Sequence, residues 1–270
     1  MFAYDWGHGA LAEWDGPDWW HREIFAVIRD YLTNDDPMPL RIAVASGHGA
    51  AKTAFVAWLN IWFMSCRPHP QVVCTANTEA QLSTKTWREL AKWHKLAANK
   101  HWFTWTATSF YLNAHQETWK ANAIPWSENN TEAFAGTHEE NVLVQFDEAS
   151  KISDKIWEVS DGVLTTKKNI WCVYGNGTRN AGRFYDCFHS KKKFWRTWQI
   201  DSRKCKAATL LGPGYLDSLI EQYGGEDTAQ ARVRVRGLFP RTATRQLIST
   251  EAVEKCQGHQ TEGWEMLPKV

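Results

Sequence analysis

Two short stretches of this 270-residue chain have the residue types and spacing of phosphate chemistry. The first is Ser46-Gly47-His48-Gly49-Ala50-Ala51-Lys52-Thr53. Backbone N–H groups of such a loop can ring a phosphate at a helix N-terminus. Lys52 can reach the β- and γ-phosphates of a nucleotide, and the Thr53 hydroxyl can ligate Mg2+. All eight residues are therefore candidate nucleotide contacts. Against the common pattern GxxxxGK[ST], Ser46 replaces the first glycine and Ala51 the second. The Ala51 Cβ could crowd the backbone or the phosphate. The second stretch is Asp147-Glu148-Ala149-Ser150. Asp147 suits a metal-holding carboxylate and Glu148 one that polarises an attacking water. An acidic pair alone is a weak sign, since acids also favour helix N-termini. After a buried strand downstream of such a loop, it is far more specific.

A third polar cluster, Gly175-Asn176-Gly177-Thr178-Arg179-Asn180, offers an amide and a guanidinium that could sense a γ-phosphate. It also reads as a glycine-rich turn. Arg179, Arg183 and Arg203 are candidates to neutralise transition-state charge. Sequence does not choose among them; Arg179 and Arg203 are carried forward.

The elements that must position these groups alternate between apolar runs and helical patterns. Strands are predicted at 40–45, 71–75, 142–146, 170–174 and 195–200, with hairpin strands within 101–124. Helices are predicted at 19–32, from Lys52 onward, at 78–98, 213–223 and 226–235. The pattern implies an α/β protein with a mainly parallel sheet and helices on both faces. In such sheets ligands sit beyond the carboxyl ends of the strands, where all three polar clusters fall. The chain after Phe239-Pro240 reads as a linker.

Composition narrows the class. Lys+Arg of 31 against Asp+Glu of 30 gives a net charge of +1, which excludes a protein that coats nucleic acid by bulk charge. Local basic patches remain, at Lys191-Lys192-Lys193 and at Arg232, Arg234 and Arg236. The six cysteines include no CxxC pair, and fit neither a zinc site nor a disulfide framework. The longest apolar stretch, Ala54 to Met64, is too short to span a bilayer and reads as a buried helix. The 17 tryptophans read mainly as packing residues rather than a base-stacking platform. The histidines form no HExxH, and no nuclease-type acidic metal cluster is apparent outside Asp147-Glu148.

In order along the chain, several blocks resemble phage terminase large subunits. They are Arg41 to Gly49 with Lys52-Thr53, Thr75 to Gln81, Phe146 to Ser150, Tyr174 to Arg179 with Gly182 to Tyr185, Tyr223-Gly224, and Arg232 to Pro240. The resemblance covers roughly 17–242. It implies a P-loop NTPase core of the ASCE, RecA-like kind, using ATP and Mg2+. In it Lys52 and Thr53 would hold phosphate and metal, Asp147 the metal, and Glu148 would be the catalytic carboxylate. Asn176 falls in the family's coupling motif, usually Gly-Asn-Pro, with Gly177 here instead of proline. Trp20-His21 stands where an adenine-side Trp-Gln pair is usual, so Trp20 is expected to stack on the base.

The implied function is an ATPase that drives double-stranded DNA into a procapsid from the host cytoplasm, without a membrane. Its implied partners are the small terminase subunit, the portal protein and further copies in a homo-oligomeric ring, a pentamer. Residues 1–245 would be the motor domain and 246–270 a linker toward an absent nuclease domain, so no DNA cleavage is expected. A helicase-like DNA-dependent ATPase, or a nucleotide-binding assembly module with little hydrolysis, remain alternatives.

Overall fold

Alternation along the central strands sends side chains to two separate cores. In a computed structural model that describes residues 4–34, 38–125, 139–164, 166 and 168–241, strand β1 (Leu40–Ser46) turns Ile42 and Val44 to one face and Ala43 and Ala45 to the other. Strand β7 (Ile170–Gly175) does the same with Cys172 and Tyr174 against Trp171 and Val173. Strands buried on both faces read as continuous apolar runs, which is how parallel strands covered on both sides must look.

The sheet has eight strands in the order β3-β4-β5-β2-β6-β7-β1-β8. These are β2 (Gln71–Ala76), β3 (Phe103–Trp105), β4 (Ser109–Leu112), β5 (Lys120–Ala123), β6 (Val142–Asp147), β7 (Ile170–Gly175) and β8 (Arg196–Ile200). From β5 to β8 every neighbour is parallel, while β3 and β4 form the antiparallel edge foreseen within 101–124. Strand β7 lies between β1 and β6, so the loop after β1 and the carboxylates after β6 sit two strand spacings apart, about 10 Å, at one edge.

One core is covered by α1 (Trp19–Thr33), α2 (Lys52–Cys66) and α4 (Arg88–Leu96). Helix α2 is apolar almost all round because it is enclosed: Phe55, Leu59 and Phe63 are fully buried. Its one buried amide, Asn60, bonds to Val56 O and Cys74 Sγ. The other core lies under the helix Asp154–Val163, where Ile156 and Trp157 meet Phe146 and Trp171. That helix was not foreseen from sequence.

The predicted helix 78–98 is interrupted. A short α3 (Glu79–Gln81) runs into a π-helical turn, Leu82–Trp87, before α4 begins. Ser83 and Thr84 hydroxyls donate back to the Glu79 and Ala80 carbonyls, a local competition with the regular ladder. The pairs expected at 213–223 and 226–235 appear as Tyr215–Gln222 and Ala229–Arg234. The expected linker 246–270 lies outside the described residues. No described helix is long and apolar enough to cross a membrane.

Candidate nucleotide site

The loop between β1 and α2 is clamped from below. Gly47 N donates to Ile200 O (3.1 Å) and His48 N to Arg234 O (2.7 Å). Glycine is required here because a Cβ at Gly47 would lie 2.3 Å from Val235 O. The next amides open the N-terminus of α2 and have no intrahelical acceptor, which leaves them for a phosphate. Ala51 caps α2 in the left-handed conformation, φ 61°. That explains why glycine is usual before the lysine: a Cβ there costs about 1–2 kcal/mol. The crowding expected from Ala51 is thus strain in its own backbone.

Lys52 Nζ donates to Ser46 Oγ (2.7 Å) and to Gly47 O (3.2 Å). Desolvation lowers its pKa, while Glu148 and Asp147 hold it up. Asp147 ends β6 almost fully buried. Its Oδ2 accepts from Thr86 Oγ1 (2.7 Å) and lies 3.5 Å from Thr53 Oγ1, and its Oδ1 accepts from Glu148 N (3.1 Å). Burial raises the Asp147 pKa, and the Thr86 bond opposes that. Glu148 has φ 56°, a second left-handed residue, and its side chain lines the same cavity as Lys52. Thr53 and Asp147 present adjacent hard oxygens. That donor set fits Mg2+, which takes one or two carboxylates and completes its shell with phosphate and water.

The cavity is large, about 900 Å3. His48 through Thr53, Asp147, Glu148, Asn176 and His21 line it, with Ser46 and Gly47 beneath. Asn176 Nδ2 donates to Ser46 O (2.6 Å), tying the end of β7 to the loop. At Gly177 even a Cβ would meet the Phe239 ring at 2.7 Å, so the Gly-Asn-Pro expected from the resemblance does not fit here.

Three nominated residues lie elsewhere. Trp20 is fully buried against Phe55 and His21 and does not line the cavity, so it offers no face to a base. The aromatics in the cavity wall are instead Trp6, Trp14, Trp58 and Trp93. Arg203 is held by Asp201 and Glu226. Arg179 lies in a separate small cavity beside Ser150 and Arg183. His21 does line the cavity, but its Nδ1 accepts from Asp18 N as part of the α1 cap. Burial pushes its pKa down to about 3, so it is neutral. Sequence reasoning missed Thr86 and Lys85, because the Thr86 bond to Asp147 and the cavity that Lys85 shares with Thr53 are made only by the fold.

A loop of phosphate-binding type after β1, carboxylates at the end of β6 and an intervening β7 give the arrangement of the P-loop NTPase fold with an additional strand. No protein-family model matches the chain. It is 27% identical over 237 residues to the probable terminase large subunit of Enterobacteria phage P7, covering 82% of this chain and 47% of that protein. The chain therefore spans about half the length of this curated relative.

Among solved structures it is similar to the large terminase of a thermophilic bacteriophage (TM-score 0.60, 11% identity, 84% of this chain and 54% of that one). It is also similar to the large terminase ATPase domain of Thermus phage P74-26 (TM-score 0.56, 12% identity, 79% and 92%). The chain thus resembles phage terminase large subunits in sequence and has the fold of their ATPase domains.

Proposed function

We propose that residues 1–245 are the ATP-hydrolysing motor domain of a phage terminase large subunit, and that this motor drives double-stranded DNA into a procapsid. The observation that carries the reading is the meeting of Lys52 and Thr53 with Asp147 and Glu148 on one cavity wall. The thermophilic phage terminase has been solved with ADP and with ATP-gamma-S, which supports ATP as the ligand here.

In the proposed reaction Glu148 takes a proton from water as its oxygen bonds the γ-phosphorus. The bond from γ-phosphorus to the bridging oxygen breaks, ADP leaves with that electron pair, and inorganic phosphate is released. Lys52 exchanges its contacts with Ser46 and Gly47 for phosphate oxygens. Thr53 and Asp147 would hold Mg2+, which would supply charge neutralisation to the phosphates. The Asn176 to Ser46 bond links phosphate loss to movement at the end of β7. The small terminase subunit, the portal and a ring of copies, a pentamer, are the partners this role requires, in the host cytoplasm and at the procapsid portal. DNA cleavage is not part of the role proposed for these residues.

Phosphate release by the chain, with and without double-stranded DNA, tests this. DNA stimulation without unwinding of a tailed duplex is expected. Unwinding would favour a helicase, and nucleotide binding without any turnover would favour an assembly module.

A further inference from the structure

Phosphoryl transfer spreads negative charge over three oxygens in flight, and a cation beside Lys52 commonly contributes a large part of the rate. The arginines nominated from sequence do not supply it, since Arg203 is clamped by two acids and Arg179 lies in another cavity. The lysines that line the nucleotide cavity besides Lys52 are Lys85, Lys92, Lys95 and Lys206. Lys206 is paired with Asp15 and Lys92 with Glu89. Lys95 lies nine residues beyond Thr86, at the C-terminal end of α4, and is exposed and without an ion pair among the described residues.

Lys85 combines three features. It is exposed and has no ion-pair partner among the described residues. It lines both the nucleotide cavity and an adjoining cavity of about 530 Å3 that Thr53 also lines. Its neighbour in sequence, Thr86, donates to Asp147 Oδ2, so the backbone carrying Lys85 is pinned to the metal-side carboxylate. The pin sits within the π-helical turn Leu82–Trp87, a distortion common at functional sites. This segment follows β2, which pairs with β6 on the side away from the loop, and Asp147 at the end of β6 meets Thr53. A lysine's flexible four-carbon stem suits a cation that closes on substrate.

We propose that Lys85 is the in-chain cation that contacts the γ-phosphoryl oxygens and stabilises them as the bond to ADP breaks. This rests on the reading of the site as an ATPase and adds a catalytic residue to it. The proton and leaving group follow the course given above; Lys85 stays protonated throughout.

The test compares wild type with Lys85→Met, which keeps the stem and removes the charge, and with Lys85→Arg, which keeps the charge. Lys85→Gln serves as a second neutral variant if the methionine lowers the melting temperature. Expected for the neutral variants are a kcat about 100-fold lower and a KM for ATP within about threefold, with Lys85→Arg recovering about tenfold. Affinity for ADP-fluoroaluminate, which mimics the phosphoryl group in flight, should fall at least about 30-fold while affinity for ATP-gamma-S holds. A neutral variant that matches wild type in both kcat and fluoroaluminate affinity overturns the role of Lys85 and leaves the ATPase reading standing. A wild type that neither hydrolyses ATP nor binds the fluoroaluminate complex overturns both.

Discussion

The cations of this chain divide between two regions. In the segment from Asp201 to Arg241 four of the five arginines pair with acids, Arg203 with Asp201 and Glu226, Arg232 and Arg241 with Asp227, and Arg236 with Glu226 and Asp227, while Arg234 meets the Tyr223 hydroxyl. Around the phosphate loop, Lys52 rests on a hydroxyl and a carbonyl, and Lys85 has no ion pair among the described residues. The same region holds two non-glycine residues in the left-handed conformation, Ala51 and Glu148, and a buried carboxylate whose pKa is raised. Where charge holds the fold together it is neutralised locally. Where it serves a ligand it is held ready, and the local backbone carries strain.

Substitutions in the two regions should separate accordingly. Lys52→Ala should reduce turnover by about 1000-fold or more, since it removes the buried phosphate cation. Colorimetric phosphate release reads this, and a loss under about tenfold would place the phosphate contact elsewhere.

His21 gives the next largest effect, on stability. Its folded pKa lies near 3, below the unfolded value near 6.5, so the unfolded chain binds the extra proton between those pH values. Stability therefore falls as pH drops through this window, by about 2 kcal/mol between pH 6.5 and 5 from this group. His21→Gln should remove that slope in melting temperature against pH. An unchanged slope would mean that His21 is not buried as a neutral ring.

Arg203→Ala should cost only about 1 kcal/mol of stability, because its partners are partly solvated, and leave turnover per folded molecule within about threefold. A large loss of turnover at full stability would return Arg203 to the catalytic set. Ala51→Gly should have the smallest effect, a gain of at most about 1 kcal/mol in chemical denaturation, because relief of the strain at φ 61° is partly offset by the freedom glycine adds to the unfolded chain.

Much of this division could be read from the chain itself. Strands β1, β2, β6 and β7 stood out because strands enclosed on both faces become unbroken apolar runs. The residues of the loop, Asp147, Glu148 and Asn176 were legible because strand ends in a parallel sheet share one edge. Trp20 was misplaced although its spacing with Ile24 and Ile28 already put it on the buried face of α1. Arg203 and Lys85 could not be sorted from sequence. What decides between them is the fold around each: Arg203 finds Glu226 across 23 residues, and Thr86, the neighbour of Lys85, bonds Asp147 across 61. The replacement of proline by Gly177 was likewise opaque until the Phe239 ring was seen against it. The helix Asp154–Val163 carries its apolar residues at Ile156, Trp157 and Val163, too short a run to declare itself.

The most direct test of the central claim is Glu148→Gln, with ATP binding and ATP hydrolysis measured on the same protein. The substitution keeps the shape of the side chain and removes the base. The site described here predicts binding within about threefold of wild type and turnover lower by about 1000-fold. Turnover close to wild type would contradict it, since no water-polarising role would then remain for Glu148.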